Sequence, residues 1–546
     1  MPRIRSPYLS AAAVGFIAVL LGLTHAWTAD DGFITFRVAR NIAEGHGPVY
    51  NIGERVEAST SPLWTWLMGL CSWIASHSLE TLSASLGIAF ASGGLVLMMR
   101  GCSRALDDRR MVLPGAVIVL LGLRSFWEFE TSGLDISLTI FWVGLSWWAL
   151  ARVADLPETR RRTLGAAALL GLAPLVRAEL VLPAIVILIT LLRRRRNQWC
   201  LSAAVFLVPG LVYEIFRAAY YATLVPTTAL AKEGSRLRWD FVGVHYVWVS
   251  LILSLACVPA LGVAWLHRRR TQSGRTQSIG ELAALRRAFV IGGLVEVAYV
   301  TAVGGDYMIG RLLLPGVALM VAPYAVLRVE RTQALPTMAV LTALTLIPAF
   351  TQPHLLPNPH DNFGTKKNWL VQEARYLQYE TKVHRPYRLV DFGQSYVMRD
   401  LARSYDLYGR LAEPDGRFER LPDAGQQSVV TTSILGITGY VLPSAVYVVD
   451  LNGLADPVSA RLKLDRRGRP GHEKRIGDGF AQVRFGTRAP SGPPGAKACA
   501  QIRRLYRDIR GPLSAHRMWH NLLDAFGNTT MRIRLNDNDA VCAPNP

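Results

Sequence analysis

Asp30 and Asp31 are adjacent carboxylates that follow the chain's first hydrophobic segment, residues 8–27, which carries no charge. A segment of 20 residues is long enough to cross a bilayer as one helix. Acids placed where such a helix leaves the hydrocarbon cost desolvation energy unless water or a cation is at hand, which makes them functional suspects. A carboxylate there can take the proton of a substrate hydroxyl. The competing structural reading is that Asp31 N-caps a helix over 33–43, since Asp is a favoured cap. Capping accounts for one Asp and not for two.

Cations form the second set. Arg217, Lys232 and Arg311 fall in segments that loop charge assigns to the same side as the acid pair. Guanidinium and ammonium groups bind phosphate, Arg through a bidentate fork and Lys as a point charge. Arg55, Glu57, Arg177, Glu179, Asp306 and His472 are further candidates for holding substrate. The structural alternative is ordinary ion pairing, Arg177 with Glu179 and Arg311 with Asp306. Carboxylates and phosphate-binding cations at one membrane face suggest group transfer from a lipid-linked phosphate. A carboxylate would accept the acceptor's proton and a cation would stabilise the departing phosphate. Asp30 and Asp31 are also a candidate seat for Mg²⁺ or Ca²⁺, although a monophosphate donor needs a metal less than a nucleotide diphosphate does.

These residues need a membrane scaffold to position them. The chain has 546 residues, is 51% hydrophobic and 18% charged, and has a mean hydropathy of +0.22, too apolar for an ordinary soluble enzyme. Its net charge of +20 does not point to nucleic acid, because the basic residues lie in short loops between apolar runs. Candidate crossings are 8–27, 80–99, 111–126, 134–151, 164–176, 180–192, 199–216, 244–266, 288–303, 312–327 and 336–350. The opening of the chain resembles a signal peptide, but a 20-residue span followed by many apolar segments favours an uncleaved anchor. With the N-terminus inside, eleven crossings put every basic cluster in the cytoplasm and residues 351–546 outside. The Trp-rich stretch 62–74 is expected to lie in the interface, because counting it as a span would move the later Arg clusters outside. The short, Pro-interrupted pair 164–176 and 180–192 reads as a helical hairpin with a polar tip at Arg177 and Glu179. The membrane-lipid environment and an inner-membrane, multi-pass location follow. The expected fold is therefore an all-α membrane domain over 1–350 of about 11 helices, then an α+β extracytoplasmic domain over 351–546.

The run Ala29-Asp30-Asp31-Gly32-Phe33, with Glu44-Gly45-His46-Gly47-Pro48-Val49-Tyr50-Asn51 and Gly53-Glu54-Arg55-Val56-Glu57-Ala58, resembles the first outer loop of GT-C glycosyltransferases. More narrowly, it is similar to the mycobacterial terminal β-(1→2)-arabinofuranosyltransferase family. Thr131-Ser132-Gly133-Leu134, Val176-Arg177-Ala178-Glu179, Phe216-Arg217 and the run from Leu224 to Lys232 extend the likeness. So do Gly304-Gly305-Asp306-Tyr307-Met308-Ile309-Gly310-Arg311, Asp450-Leu451-Asn452-Gly453-Leu454, Gly471-His472-Glu473-Lys474, Cys499 and Cys542. The resemblance implies an extracytoplasmic transferase with Asp30 and Asp31 as its catalytic acids. Its donor would be decaprenyl-phosphate arabinofuranose, and its acceptor the arabinan of arabinogalactan and lipoarabinomannan. The donor and the product are both β-linked, so net retention is expected. The chain is shorter than mycobacterial members lead one to expect, which leaves the sugar and acceptor open. A transferase of another lipid-linked sugar and a flippase of such a lipid stand as alternatives.

In the tail, 369–380 and 394–405 carry helical patterns, while 444–449 and 481–485 are strand-like. Residues 491–495 form a Pro/Gly turn. Cys499 and Cys542 would form a disulfide if the tail faces an oxidising compartment. The resemblance to arabinosyltransferases makes the tail a candidate carbohydrate-binding module. Asp450, Asp456, His472 and Glu473 are read first as loop caps and salt bridges, second as sugar ligands.

Overall fold

The computed structural model describes residues 6–24, 26, 28–73, 79–102, 111–155, 159–193, 195–232, 242–253, 278–306, 308, 310–329, 331–351, 419–424, 427–432, 435–464, 473–485 and 488–544. The first half runs through α1 (Ser6–Thr24), α2 (Asp30–Ala43), α3 (Pro62–Ser72), α4 (Leu79–Cys102), β1 (Met111–Pro114), α5 (Val117–Gly122) and α6 (Arg124–Glu130). Next come α7 (Ile136–Asp155), α8 (Arg160–Gly171), α9 (Ala173–Val176), α10 (Val181–Leu192), α11 (Trp199–Tyr221), α12 (Thr227–Ala231) and α13 (Val242–Leu253). After α14 (Ser278–Val303), α15 (Leu314–Val321), β2 (Val326–Val329) and α16 (Arg331–Thr351) follow β3 (Glu419–Ala424) and β4 (Gln427–Thr432). The chain ends through α17 (Leu435–Val441), β5 (Tyr447–Asp450), α18 (Asp478–Arg484), α19 (Ala496–Ile509) and α20 (Ala515–Thr530).

The chain forms two compact units. The first comprises 1–27, 83–210 and 238–389, the second 28–82, 211–237 and 390–546. The second unit takes in the segment after α1 because Arg37, Arg40, Tyr50, Asn51, Glu54 and Arg55 are all hydrogen-bonded to residues 435–511.

In the first unit α14 packs against α7, α10, α13 and α15. Among the described residues, three helices are long and apolar enough to cross a membrane: 79–102, 136–154 and 196–221. The 136–154 span is largely buried and so central, whereas the apolar side chains of the 196–221 span mostly face outward. Two expected crossings are not continuous helices. Residues 111–126 open as β1 before α5, and 312–327 close as β2 after α15, with β1 and β2 paired antiparallel from Met111↔Val329 to Pro114↔Val326. Pro114 lacks an N–H and resists helix propagation, and the two short strands satisfy each other's backbone groups instead. The expected hairpin is present as α8 and α9 against α10, interrupted at Arg177, whose backbone is extended.

In the second unit α2 packs on α3 and α17. The sheet order is β3-β4-β5, with β3–β4 antiparallel and β4–β5 parallel. Val429, Tyr447, Val449, Ala481 and Phe485 form a core beneath it. A larger core gathers Val458, Val483, Ile502, Leu505, Tyr506, Ile509 and Ile533. Cys499 and Cys542 are disulfide-bonded beside it, with Cα atoms 5.2 Å apart. The strand-like run 444–449 contributes to β5, and 491–495 is irregular as its composition predicts. Residues 481–485 correct the sequence reading: 481–484 belong to helix α18 and Phe485 is its C-cap, and the helix buries Phe480, Ala481 and Val483 along one side. Short apolar runs do not separate strand from helix by periodicity alone. The helical patterns at 369–380 and 394–405 lie outside the described residues.

Candidate functional site

The acid pair sits at the start of α2. Ala29 is the N-cap, with extended backbone and no side-chain cap bond, so Asp30 and Asp31 occupy the first turn. Asp31 is therefore not the cap that the sequence suggested. Acids in a first turn are stabilised by the helix dipole, by about 0.3–1 kcal/mol each. Both are half-buried. An Asp30 carboxylate oxygen accepts the backbone N–H of Gly436 at 3.2 Å. The approach of α17 depends on glycine: a Cβ on Gly436 would collide with the Asp30 carbonyl, and one on Gly439 with the Tyr50 hydroxyl.

Two arginines of α2 hold that approach. Arg37 is fully buried and donates to the carbonyls of Tyr50 (2.9 Å), Gly439 and Val446 (2.7 Å). Arg40, one turn on, donates to the carbonyls of Tyr440 (3.0 Å) and Leu442 (2.9 Å). Burial pushes the Arg37 guanidinium down to about 10, so it is charged at neutral pH and satisfied by carbonyl dipoles. Sequence reasoning missed these two residues as framework, because carbonyls some 400 residues away leave no local pattern.

The loop after α2 carries a second charged cluster. Glu57 is buried and accepts from the Tyr213 hydroxyl (2.7 Å) and from Arg217 Nε (2.6 Å). Arg217 also reaches Glu214 at 2.5 Å and lies over the Tyr213 ring. Tyr213 and Glu214 are not among the sequence candidates; the i, i+4 spacing of Tyr213 and Arg217 on one helix face was the available signal. The Thr227 N–H donates to the Glu57 carbonyl at 3.0 Å, which ties α12 and its C-terminal Lys232 to this loop. A small pocket opens here, lined by Glu57, Ser59, Thr65, Trp66, Tyr213 and Tyr221 among others. Arg55 turns instead to the carbonyls of Tyr220 (3.2 Å), Asp508 (3.0 Å) and Gly511 (2.7 Å). Neighbouring Glu54 pairs with Arg510 at 2.6 Å and accepts from Tyr447 at 2.8 Å.

Also in this unit, Asp450 accepts the N–H groups of Asn452 and Ala455, and Asp456 those of Val458 and Ser459. They act as loop caps. Burial raises the Asp450 carboxyl to about 7 and the Asp456 carboxyl above its usual range. Glu473 is buried and His472 lies outside the described residues.

The second unit therefore carries Asp30, Asp31, Arg55, Glu57, Arg217 and Lys232, while the first carries Arg177, Glu179, Asp306 and Arg311. In that first unit Arg177 pairs with Glu179 at 2.6 Å and with Asp135 at 3.3 Å, and Arg311 pairs with Asp306. Asp135 is an addition that the sequence did not single out. A divalent cation of the Mg²⁺ or Ca²⁺ kind takes six or more oxygens. Among the described residues no group of three His, Cys, Asp or Glu side chains is placed to hold a metal, and no step is derived through one.

No family model matches the chain. The terminal β-(1→2)-arabinofuranosyltransferase of Mycobacterium tuberculosis is 29% identical, covering 97% of this chain and 95% of its own. The enzyme of the same name from Corynebacterium glutamicum is 30% identical, covering 99% and 88%. Among solved structures, ArnT from Cupriavidus metallidurans bound to undecaprenyl phosphate gives a TM-score of 0.44 at 13% identity, over 97% of this chain and 86% of that one, a likeness too low to argue from. With its membrane-length helices, this chain is a membrane glycosyltransferase. It belongs to the terminal β-(1→2)-arabinofuranosyltransferase family.

Proposed function

We propose that the protein transfers arabinofuranose from decaprenyl-phosphate arabinofuranose to the non-reducing ends of cell-wall arabinan, forming the terminal β-(1→2) linkage. The observation that carries this reading is full-length kinship with two transferases of that name, combined with an acid pair in the first turn of α2. In the transfer, the acceptor oxygen bonds to the anomeric carbon, the bond from that carbon to the phosphate oxygen breaks, and polyprenyl phosphate leaves. The acceptor proton passes to a carboxylate, for which Asp30, oriented by the Gly436 N–H, and Asp31 are the candidates. Retention of the β configuration requires a double displacement or a front-face route.

Lys232, Arg217 and Arg311 are the cations proposed for the donor phosphate. A phosphate at Arg217 would share it with Glu57 and Glu214, and one at Arg311 with Asp306. The pocket beside Glu57 combines a carboxylate, two hydroxyl residues and aromatic rings, groups that can hydrogen-bond and stack on a sugar. Arg55, Glu57, Arg177, Glu179, Asp306 and His472 are the further residues proposed to hold substrate. The fold is read as GT-C, with 1–350 membrane-embedded and 351–546 extracytoplasmic. Supporting that orientation are the loop-charge asymmetry and the disulfide, which needs an oxidising compartment. The test is transfer from synthetic polyprenyl-phosphate arabinofuranose by Asp30→Ala and Asp31→Ala proteins. Wild-type rates in both would end the proposal.

A further inference from the structure

Helix α20 is built inside out for a helix in water. Its inward residues Asn521, Ala525 and Asn528 are fully buried, and both asparagines are spent on hydrogen bonds, to the Ala219 carbonyl (2.9 Å) and to Asp508 (3.0 Å). Its outward residues Trp519, Leu523 and Phe526, at i, i+4 and i+7, are 62%, 64% and 69% exposed. Soluble surface helices show the reverse, with the apolar stripe turned to the core. An exposed aromatic and aliphatic stripe of this kind marks an interaction face.

Where α20 is attached says what covers it. Its bond to Ala219, and the bond from the Leu224 N–H to the Thr529 hydroxyl (2.8 Å), fix it to the last turn of α11 and the residues just beyond. At 23 residues α11 is about 34 Å long, enough to cross a bilayer, and its Leu211, Val212 and Ile215 are exposed apolar side chains. The same end of α11 meets α3 through Phe216 and Trp66, and α3 also bares an i, i+4, i+7 stripe of Trp66, Leu70 and Trp73. Helix α19, packed on α20, presents exposed Arg503, Arg504 and Arg507, with Asp524 shared by the last two and Asp508 a second partner of Arg507. Trp at the headgroup level, an apolar stripe and a cationic flank are the features of a helix lying in an anionic membrane interface.

We infer that α20 is a membrane-surface helix, with Trp519, Leu523 and Phe526 inserted into the leaflet where α11 emerges. The occupant of its bare face is the bilayer itself, with anionic headgroups at the arginines. The inference rests on the chain's being a membrane protein and is independent of which sugar it transfers.

The test uses the full chain in nanodiscs holding one copy each, made from phosphatidylcholine and phosphatidylglycerol. With Cys71, Cys102, Cys200 and Cys257 replaced by Ala and the disulfide kept, an environment-sensitive fluorophore is placed at Leu523→Cys, Phe526→Cys or the exposed control Lys497→Cys. Lipids brominated near the headgroup should quench the first two at least about threefold more than the control. Equal quenching at all three sites would overturn the inference, as would shielding seen only with two copies per disc, which would assign the face to a second copy. Should the labelled proteins misfold, the wild-type chain with a photoactivatable phospholipid answers the same question. Adducts on the tryptic peptide 518–532 are expected, and their absence there, with adducts on α11, would refute the proposal.

Discussion

At the residue scale, the candidate arginines are paired, and the pairing ranks them. Arg177, Arg217 and Arg311 each hold a carboxylate, and Arg37, Arg40 and Arg55 hold backbone carbonyls. Asp30→Asn and Asp31→Asn are expected to lower turnover by about 10²–10⁴ with little change in melting temperature, because each removes a proton acceptor without adding bulk. Glu57→Ala leaves Arg217 short of its main partner, and breaking a buried pair costs about 3–5 kcal/mol, measurable by denaturation in detergent. Asp450 gives a pH signature. Its folded carboxyl is raised to about 7, so it contributes stability that is present below its ordinary range and lost as pH rises to about 7. The slope of stability against pH over that window should shrink in Asp450→Asn. The acid pair, the Arg177–Glu179 tip and the Arg311–Asp306 pairing were legible in the sequence because the partners lie within a few residues of each other. The distant partners of Arg37, Arg40, Glu54 and Arg55 were not, since hydrogen bonds spanning 393 to 456 residues leave no periodic trace.

At the element scale, the position of Asp30 depends on how closely α17 approaches α2. Gly436→Ala is expected to push the two apart, lowering both melting temperature and turnover, with an overpacking cost of about 1–3 kcal/mol. Gly165, inside α8 with open space around it, is the control: Gly165→Ala should stabilise by about 0.5–1 kcal/mol and leave transfer unchanged. Long apolar runs announce α4, α7 and α11 clearly, and the Trp-rich α3 is a separate short helix, as its composition suggests. The strand pair β1–β2 has no such signal, because the partners are more than 200 residues apart and each strand is four residues long. Asp31 reads as a cap in the sequence because capping preference marks a helix start only to within a residue or two.

At the scale of the whole molecule, the second unit is assembled from three separated stretches of chain, and the disulfide closes its C-terminal part. Replacing Cys499 and Cys542 by Ser should cost about 2–5 kcal/mol of that unit's stability, read by thermal unfolding with and without reductant. Composition and loop charge announce a membrane protein with a folded tail, but a linear reading cannot foresee that residues 28–82 pack with that tail.

The proposed reaction, transfer of a pentose from a lipid phosphate with the acid pair of α2 as proton acceptor, rests on the membrane-length helices and the full-length kinship. The decisive experiment is mass analysis of the product that purified wild-type protein makes from synthetic polyprenyl-phosphate arabinofuranose and an arabinan oligosaccharide. An acceptor one pentose heavier is expected, with a new β-(1→2) linkage that is lost in the Asp30→Asn and Asp31→Asn proteins. An unmodified acceptor, or undiminished product from both variants, would rule this reaction out for the acid pair.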